Sequence, residues 1–575
     1  MSENLEEKSQ EQGHHNRPDP SQRLPRTLRA LKDSKHEKDH PRTIVICLDG
    51  TGDQFDNDNS NIVHFVSCLK KHSPEKQVTY YQSGIGTYDK GGLKNGIGAA
   101  LDMAVGSGLG IHIKDAYRFL MQNYREGDKI CLIGFSRGAY TVRCLAGMIH
   151  KVGLLPASNG SQVNFAYDFY KDDTPNGEYL AREFKKTFCT EVSVYFLGVF
   201  DCVASVGFFP RKLPFSKTAT NTVRYFRHAM ALDEHRAKFK VCHWQQQQPG
   251  DTPDVKRRNT IDFTPVARLK RGVVKQVRKN HKTPQGMQAP PEKQHEHEHH
   301  HKHKKHQHHQ NGNGNGHTNG NCEPDNDNDN DDSDSSTQDW ESKFQAQEKE
   351  NHRYQDFTTD ALEVWFKGCH ADIGGGAVDN ESRHMLSRIP LRWMIRQCFE
   401  CDTGILFDMT RLAEQGIDVH NLHPVYRAPC KPSGTPTPKL AKKHRKGTLA
   451  PVQRRSIFLP IGDGDRIEGA PSMDDLNYVL PSEGDEDHFD AMEETCDMLK
   501  LAKGWWVLEV WPVKIRVLSK DNEAWEKRVR INLGRYRAIR NRNPNIHWTV
   551  QKMIDEGKYE IKCRQTNGTK WREVI

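Results

Sequence analysis

Short apolar runs separated by stretches of helical periodicity recur along much of this chain. Thr43–Leu48 (TIVICL) is apolar and β-branched and stops at Asp49-Gly50-Thr51, which predicts a strand buried on both faces of a parallel sheet. Val78–Gln82, Lys129–Phe135 (KICLIGF), Val192–Phe200 (VSVYFLGVF) and Ala361–Lys367 (ALEVWFK) read the same way. Between and after them, Ile62–Leu69, Ile113–Tyr124, Thr141–Leu154, Asn221–Leu232 and Ser387–Phe399 predict helices. Further on, Met492–Lys503 predicts a helix stopped by Gly504, and the proline-containing Lys431–Arg455 a loop. Strands alternating with helices specify an α/β fold, a doubly wound and mostly parallel sheet.

The pattern breaks in two places. Residues 1–40 are charged and polar and read as a disordered tail. Residues 245–350 hold the His-dominated Gln294–Gln310, the Asn/Gly repeats of Asn311–Gly316 and an Asp/Asn run. Such compositions bury too little apolar surface to offset ordering entropy, so the segment reads as a long disordered insertion in a surface loop. A fold tolerates it because loop-closure cost grows slowly with length. The expected organisation is a tail (1–40), the first part of an α/β core (41–244), the insertion (245–350), the second part of the core (351–400) and a mainly helical C-terminal extension packed on it (401–575).

Composition agrees with a core diluted by polar tracts: over 575 residues the apolar share is 35 %, against about 45–50 % for globular chains. The net charge of +8 is unevenly spread, with basic runs at Lys270–Lys279 and Lys439–Lys446. These read first as solvated loops; the alternative is peripheral contact with an anionic membrane, and no nucleic-acid partner is expected. No stretch of about 18 uncharged apolar residues occurs, so no transmembrane segment is predicted. The N-terminus lacks the apolar core of a signal peptide. The 14 cysteines are scattered through predicted strands and helices, which suits free thiols in a reducing, cytoplasmic setting.

The candidate chemistry centres on Gly134-Phe135-Ser136-Arg137-Gly138, a G-x-S-x-G turn between a predicted buried strand and a predicted helix. The glycines let strand and helix approach while Ser136 Oγ is lifted out of the sheet. A hydroxyl nucleophile needs a base and an acid that orients it, in the chain order Ser, Asp, His in such folds. Asp201 directly follows the strand Val192–Phe200, and His370 closely follows Ala361–Lys367. Asp372 is the second candidate acid and Asp233 a weaker one; His228 and His547 are alternative bases. The Arg137 amide at a helix start, with the Gly50 or Thr51 amide after the first strand, would form an oxyanion hole. No metal or cofactor is called for: the His-rich tract reads as a linker, Cys398-x-x-Cys401 as packing, and Gly106-x-Gly108-x-Gly110 lacks dinucleotide-site spacing.

Six segments also carry a resemblance: LDGT (Leu48–Thr51), YYQSGIGT (Tyr80–Thr87), GFSRGAYTVR (Gly134–Arg143), GVFDCVASVG (Gly198–Gly207), RHAMALDEHRAKF (Arg227–Phe239) and VWFKGCHADIGGG (Val364–Gly376). In this order they resemble the α/β-hydrolase family of type VI secretion phospholipase effector catalytic domains, which has many uncharacterised fungal and bacterial members. The likeness covers about residues 42–400 apart from the insertion, which departs from the compact effector pattern; the polar tracts resemble those of a fungal, cytosolic member. It implies an α/β-hydrolase-like fold and hydrolysis of acyl-ester, phospholipid or lysophospholipid substrates through a Ser136–Asp201–His370 triad. A non-catalytic α/β-hydrolase scaffold that binds lipid or protein partners is the alternative.

Overall fold

Alternation of side chains along buried strands fixes how this fold closes. In the computed structural model, which describes residues 24–84, 108–203, 213–215, 223–244, 358–429, 431, 435–459, 480–519, 521–522 and 525–575, the strands run as follows. They are β1 (Thr27–Arg29), β2 (Thr43–Leu48), β3 (Gln77–Gln82), β4 (Lys129–Phe135), β5 (Val194–Phe200), β6 (Val223–Ala231) and β7 (Asp360–Phe366). They continue with β8 (Leu406–Asp408), β9 (Pro512–Leu518), β10 (Trp525–Ile531), β11 (Ala538–Ile539), β12 (Asn545–His547), β13 (Arg564–Gln565) and β14 (Arg572–Val574). Eight of them form one sheet in the order β14-β12-β7-β6-β5-β4-β2-β3. Every adjacent pair in it is parallel.

Both faces of the sheet are covered. Ile44, Ile46 and Leu48 of β2 pack with residues of the helices Leu109–Asn123, Ser136–Val152 and Val163–Lys171. Val45 and Cys47, the alternate positions, pack with the helices Asn61–Cys68, Arg388–Glu400 and Met409–Glu414. This is the doubly wound α/β arrangement that continuous apolar strands require. All described residues belong to one unit of the chain.

Several local expectations are corrected. Asn221–Leu232 is not helical: its described part forms the central strand β6. Buried Arg227 and His228 break the apolar run there, and both have partners distant in sequence, Asp360 and Glu363. Residues 24–40 are not an unstructured tail, since β1 pairs antiparallel with β8 and Leu24, Leu28 and Leu31 are buried. The described part of residues 401–575 is not mainly helical: it supplies β8 to β14 and extends the main sheet through β12 and β14. Of the helix expected at Met492–Lys503 only the short turn Met498–Leu501 forms, capped by Asp497, and a longer helix precedes it at Glu483–Met492, started by a Ser482–Asp485 capping box. The stretch Lys431–Arg455 holds the helix Pro438–Arg445, capped by Thr437. Residues 1–23, the insertion 245–350 and part of the Gly106–Gly110 motif lie outside the described residues.

Candidate active site

The C-terminal ends of parallel strands are where an α/β sheet presents side chains to a crevice. β4 ends at Phe135, and the helix Ser136–Val152 begins at the next residue. The reversal is tight: Ser136 sits at φ 56°, a left-handed conformation that costs a non-glycine residue about 1–3 kcal/mol. A Cβ on Gly134 would lie 2.7 Å from Ala139 Cα, and one on Gly138 would lie 2.3 Å from the Leu48 carbonyl oxygen. The G-x-S-x-G spacing is therefore a packing requirement as well as a turn.

β5 ends one residue before Asp201, and the short helix His370–Gly374 follows β7. These ends bring three side chains into one line. His370 Nε2 is 2.7 Å from Ser136 Oγ, and His370 Nδ1 is 2.5 Å from Asp201 Oδ2. All three residues are buried. The imidazole packs between Phe135 and Phe239, each ring centroid 4.8 Å away. The His370 backbone N–H donates to Glu234, which also pairs with Arg236 at 2.8 Å.

Electrostatics separates the acid from the base. Burial alone would raise the Asp201 carboxyl, but the Arg537 guanidinium and the His370 bond outweigh burial and hold it well below the usual carboxylate range. Burial lowers the His370 imidazole below its ordinary value, and Asp201 opposes that only in part. The ring is thus neutral near pH 7, with one nitrogen able to accept a proton from a hydroxyl while the other donates to a carboxylate.

The alternative candidates are engaged elsewhere. Asp372 accepts the Cys369 and Cys496 amides and caps its own short helix, and burial raises it to about 6. Asp233 accepts from the Gly368 amide and the Tyr559 hydroxyl. His228 lies between Glu363 and the Cys202 amide, and His547 meets Thr549 Oγ1. Cys398 and Cys401 are buried in and after the helix Arg388–Glu400.

Around Ser136, the Arg137 amide belongs to the first helical turn, where N–H groups lack intrahelical acceptors. The Arg137 side chain reaches back to Thr51 Oγ1 and so ties the loop after β2 to the turn. Gly50 departs from expectation: its single N–H donates to Asp49 Oδ1 at 2.8 Å and is thereby committed. Asp49 holds this loop as a hub, its other oxygen accepting from Ser60 Oγ at 2.8 Å and Tyr81 OH at 3.0 Å.

One residue that sequence reasoning missed is Arg537, whose guanidinium contacts both Asp201 oxygens. It lies 336 positions from Asp201 in a segment without clear periodicity, so no local signal marks it.

Residues 42–397 match the family described as T6SS, phospholipase effector Tle1-like, catalytic domain. Among curated relatives, the uncharacterized protein YEL023C of Saccharomyces cerevisiae is 27 % identical over 596 residues, covering 94 % of this chain and 82 % of that one. Among solved structures, the Tle1 effector bound to the VgrG spike of the type 6 secretion system shares 20 % identity with a TM-score of 0.23. That match covers 37 % of this chain and 48 % of the effector, so it spans about half of the effector's length. An uncharacterized protein from Pseudomonas aeruginosa shares 14 % identity with a TM-score of 0.27, over 82 % of this chain and 60 % of the other. With the family match running through the sheet and the strand ends described above, the chain belongs to the T6SS phospholipase effector Tle1-like catalytic domain family.

Proposed function

We propose that this chain is a serine hydrolase that cleaves a carboxylic acyl ester of a phospholipid or lysophospholipid. The observation that carries the reading is His370 bridging Ser136 Oγ and Asp201 at the ends of three parallel strands. Membership of a phospholipase effector family supports the substrate class. In the reaction, Ser136 Oγ attacks the ester carbonyl as its proton passes to His370 Nε2, and Asp201 stabilises the imidazolium. The oxyanion rests on the Arg137 amide, with the Thr51 amide as the second donor. His370 then returns the proton to the leaving alcohol oxygen. Water, deprotonated by His370, attacks the acyl-enzyme and releases the fatty acid with Ser136 restored.

Contact with a lipid surface fits the side chains beside this site. Leu501, Trp506, Val507, Val510 and Trp511 are exposed large apolar residues, interleaved with exposed Lys500 and Lys503. Trp505, from the same stretch, packs against Phe239, which itself touches His370. Apolar and cationic groups together suit the interface of an anionic bilayer.

The test is mass spectrometry of products from phosphatidylcholine vesicles containing anionic phosphatidylglycerol, and from lysophosphatidylcholine micelles, treated with wild-type protein and with Ser136→Ala. The expected result is fatty acid release, with the head group left on the glycerol-containing product, by the wild type alone. Equal release by both proteins, or cleavage at the phosphate, contradicts the reading.

A further inference from the structure

The Asp201 carboxylate accepts more than the His370 bond. Arg537 Nη1 donates to Oδ1 at 2.7 Å and Arg537 Nη2 to Oδ2 at 2.8 Å, a two-pronged grip, while the Ala231 amide donates to Oδ1 at 3.0 Å. The guanidinium is itself pinned. Nε and Nη2 donate to the Phe239 carbonyl at 3.0 and 2.6 Å, and Nη1 to the Ala231 carbonyl at 3.0 Å. Arg537 is buried and lies beyond the residues 42–397 that match the family's catalytic domain.

The same C-terminal segment grips the loop after β6. The Glu509 carboxylate accepts the Ala237 and Gly534 amides and Asn532 Nδ2, and Asn532 Nδ2 also donates to the His235 carbonyl. His235 Nε2 meets Asp497 at 2.8 Å. That loop carries Glu234, which holds the His370 backbone, and Phe239, which covers the His370 ring.

Resting on the Ser136–Asp201–His370 reading, we propose that Arg537 is a positioning residue of the hydrolytic site, so that a segment outside the family's catalytic domain completes it. Its planar fork fixes the Asp201 carboxylate for His370 Nδ1, and its charge offsets part of the carboxylate's field on the imidazole. The charged groups facing His370 are Asp201 from the end of β5, Glu234 and Arg236 from the loop after β6, and Arg537 behind Asp201. Removing the Arg537 charge leaves two carboxylates against Arg236, which favours the imidazolium. A residue that served only folding would change the amount of active protein and leave the titration of His370 where it was.

The experiment measures kcat and KM against pH on a soluble acyl ester for wild type, Arg537→Gln and Arg537→Lys, each checked by circular dichroism and thermal melting. For Arg537→Gln the acidic limb is expected to move up by about one pH unit, with kcat down at least tenfold and KM unchanged. Arg537→Lys is expected to restore the position of the limb and only part of kcat, because an ammonium keeps the charge but loses the fork. An unmoved acidic limb in folded Arg537→Gln overturns the proposal. Should that variant not fold, Arg537→Lys decides, with kcat expressed per active site counted by fluorophosphonate labelling: wild-type kcat per active site overturns the proposal, and reduced kcat per active site at unchanged KM supports it. Fluorophosphonate labelling of the wild type separates this from the reading beneath it. Labelling at Ser136 with an unmoved limb removes the role of Arg537 alone; absence of labelling removes both.

Discussion

Gly138 and Leu48 stand in direct backbone apposition, so close that a Cβ on Gly138 would lie 2.3 Å from the Leu48 carbonyl oxygen and 2.4 Å from that of Asp49. The helix that carries Ser136 is pressed onto the end of β2, the strand that leads into the Thr51 loop. The Leu48 backbone cannot swing away, since β2 is paired on both sides up to that residue. Gly138→Ala is therefore expected to destabilise the fold by about 1–3 kcal/mol through overpacking. That exceeds the ~1 kcal/mol by which alanine favours a helix over glycine. Urea denaturation checks the loss, and ester hydrolysis is expected to fall further than stability as the Arg137 amide is displaced.

Asp201→Asn separates orientation from packing. The amide fills the same space but cannot accept from both Arg537 and His370, and it favours the wrong imidazole tautomer. Loss of kcat by about 10³–10⁴-fold is expected. The variant also breaks the buried Arg537–Asp201 ion pair and leaves Glu234 as the remaining carboxylate acting on Arg537, so a loss of up to about 3–5 kcal/mol is expected. Steady-state kinetics and chemical denaturation measure the two effects independently.

The acidic limb of the rate profile reports His370. It must be neutral to accept the Ser136 proton, and its burial lowers its pKa below 6.5. Activity is thus lost as pH falls through a midpoint below 6.5. The dependence of kcat/KM on pH measures that midpoint, and a value above 6.5 is incompatible with the burial described.

Replacing residues 250–350 by a short Gly/Ser linker is expected to leave ester hydrolysis intact. The flanks are anchored on the β6–β7 pair: the Trp244 amide donates to Glu363 at 3.0 Å, and Thr359 Oγ1 donates to the Val223 carbonyl at 2.6 Å. Loop-closure entropy changes slowly with length, so shortening is tolerated. Circular dichroism and turnover of the shortened chain decide the point; loss of turnover in a folded protein assigns the insertion a part in the reaction.

Legibility from sequence followed the physics of burial. Thr43–Leu48 and Lys129–Phe135 are apolar at nearly every position because helices cover both faces, and such runs declare themselves. Ser136 was legible because it sits at the end of one of these runs, and His370 because it follows the buried Val364–Phe366 end of β7 by four residues. β6 was not, because Arg227 and His228 are hydrogen-bonded by Asp360, Gln397 and Glu363, and a buried polar side chain resembles an exposed one until its partners are known. Arg537 was hidden for the same reason. The three-residue strands β12 and β14 are too short to show a period, and the sheet edge supplies the pairing that defines them.

The most direct test of Ser136 as an activated nucleophile is intact-protein and peptide mass spectrometry after a fluorophosphonate probe is applied to native protein. The expected result is a single adduct on Ser136 in the wild type, absent from Ser136→Ala and strongly slowed in His370→Ala. A native wild-type protein that stays unlabelled would contradict it and favour a non-catalytic scaffold, and a Ser136→Ala variant that labels equally would contradict it by placing the reactive nucleophile elsewhere.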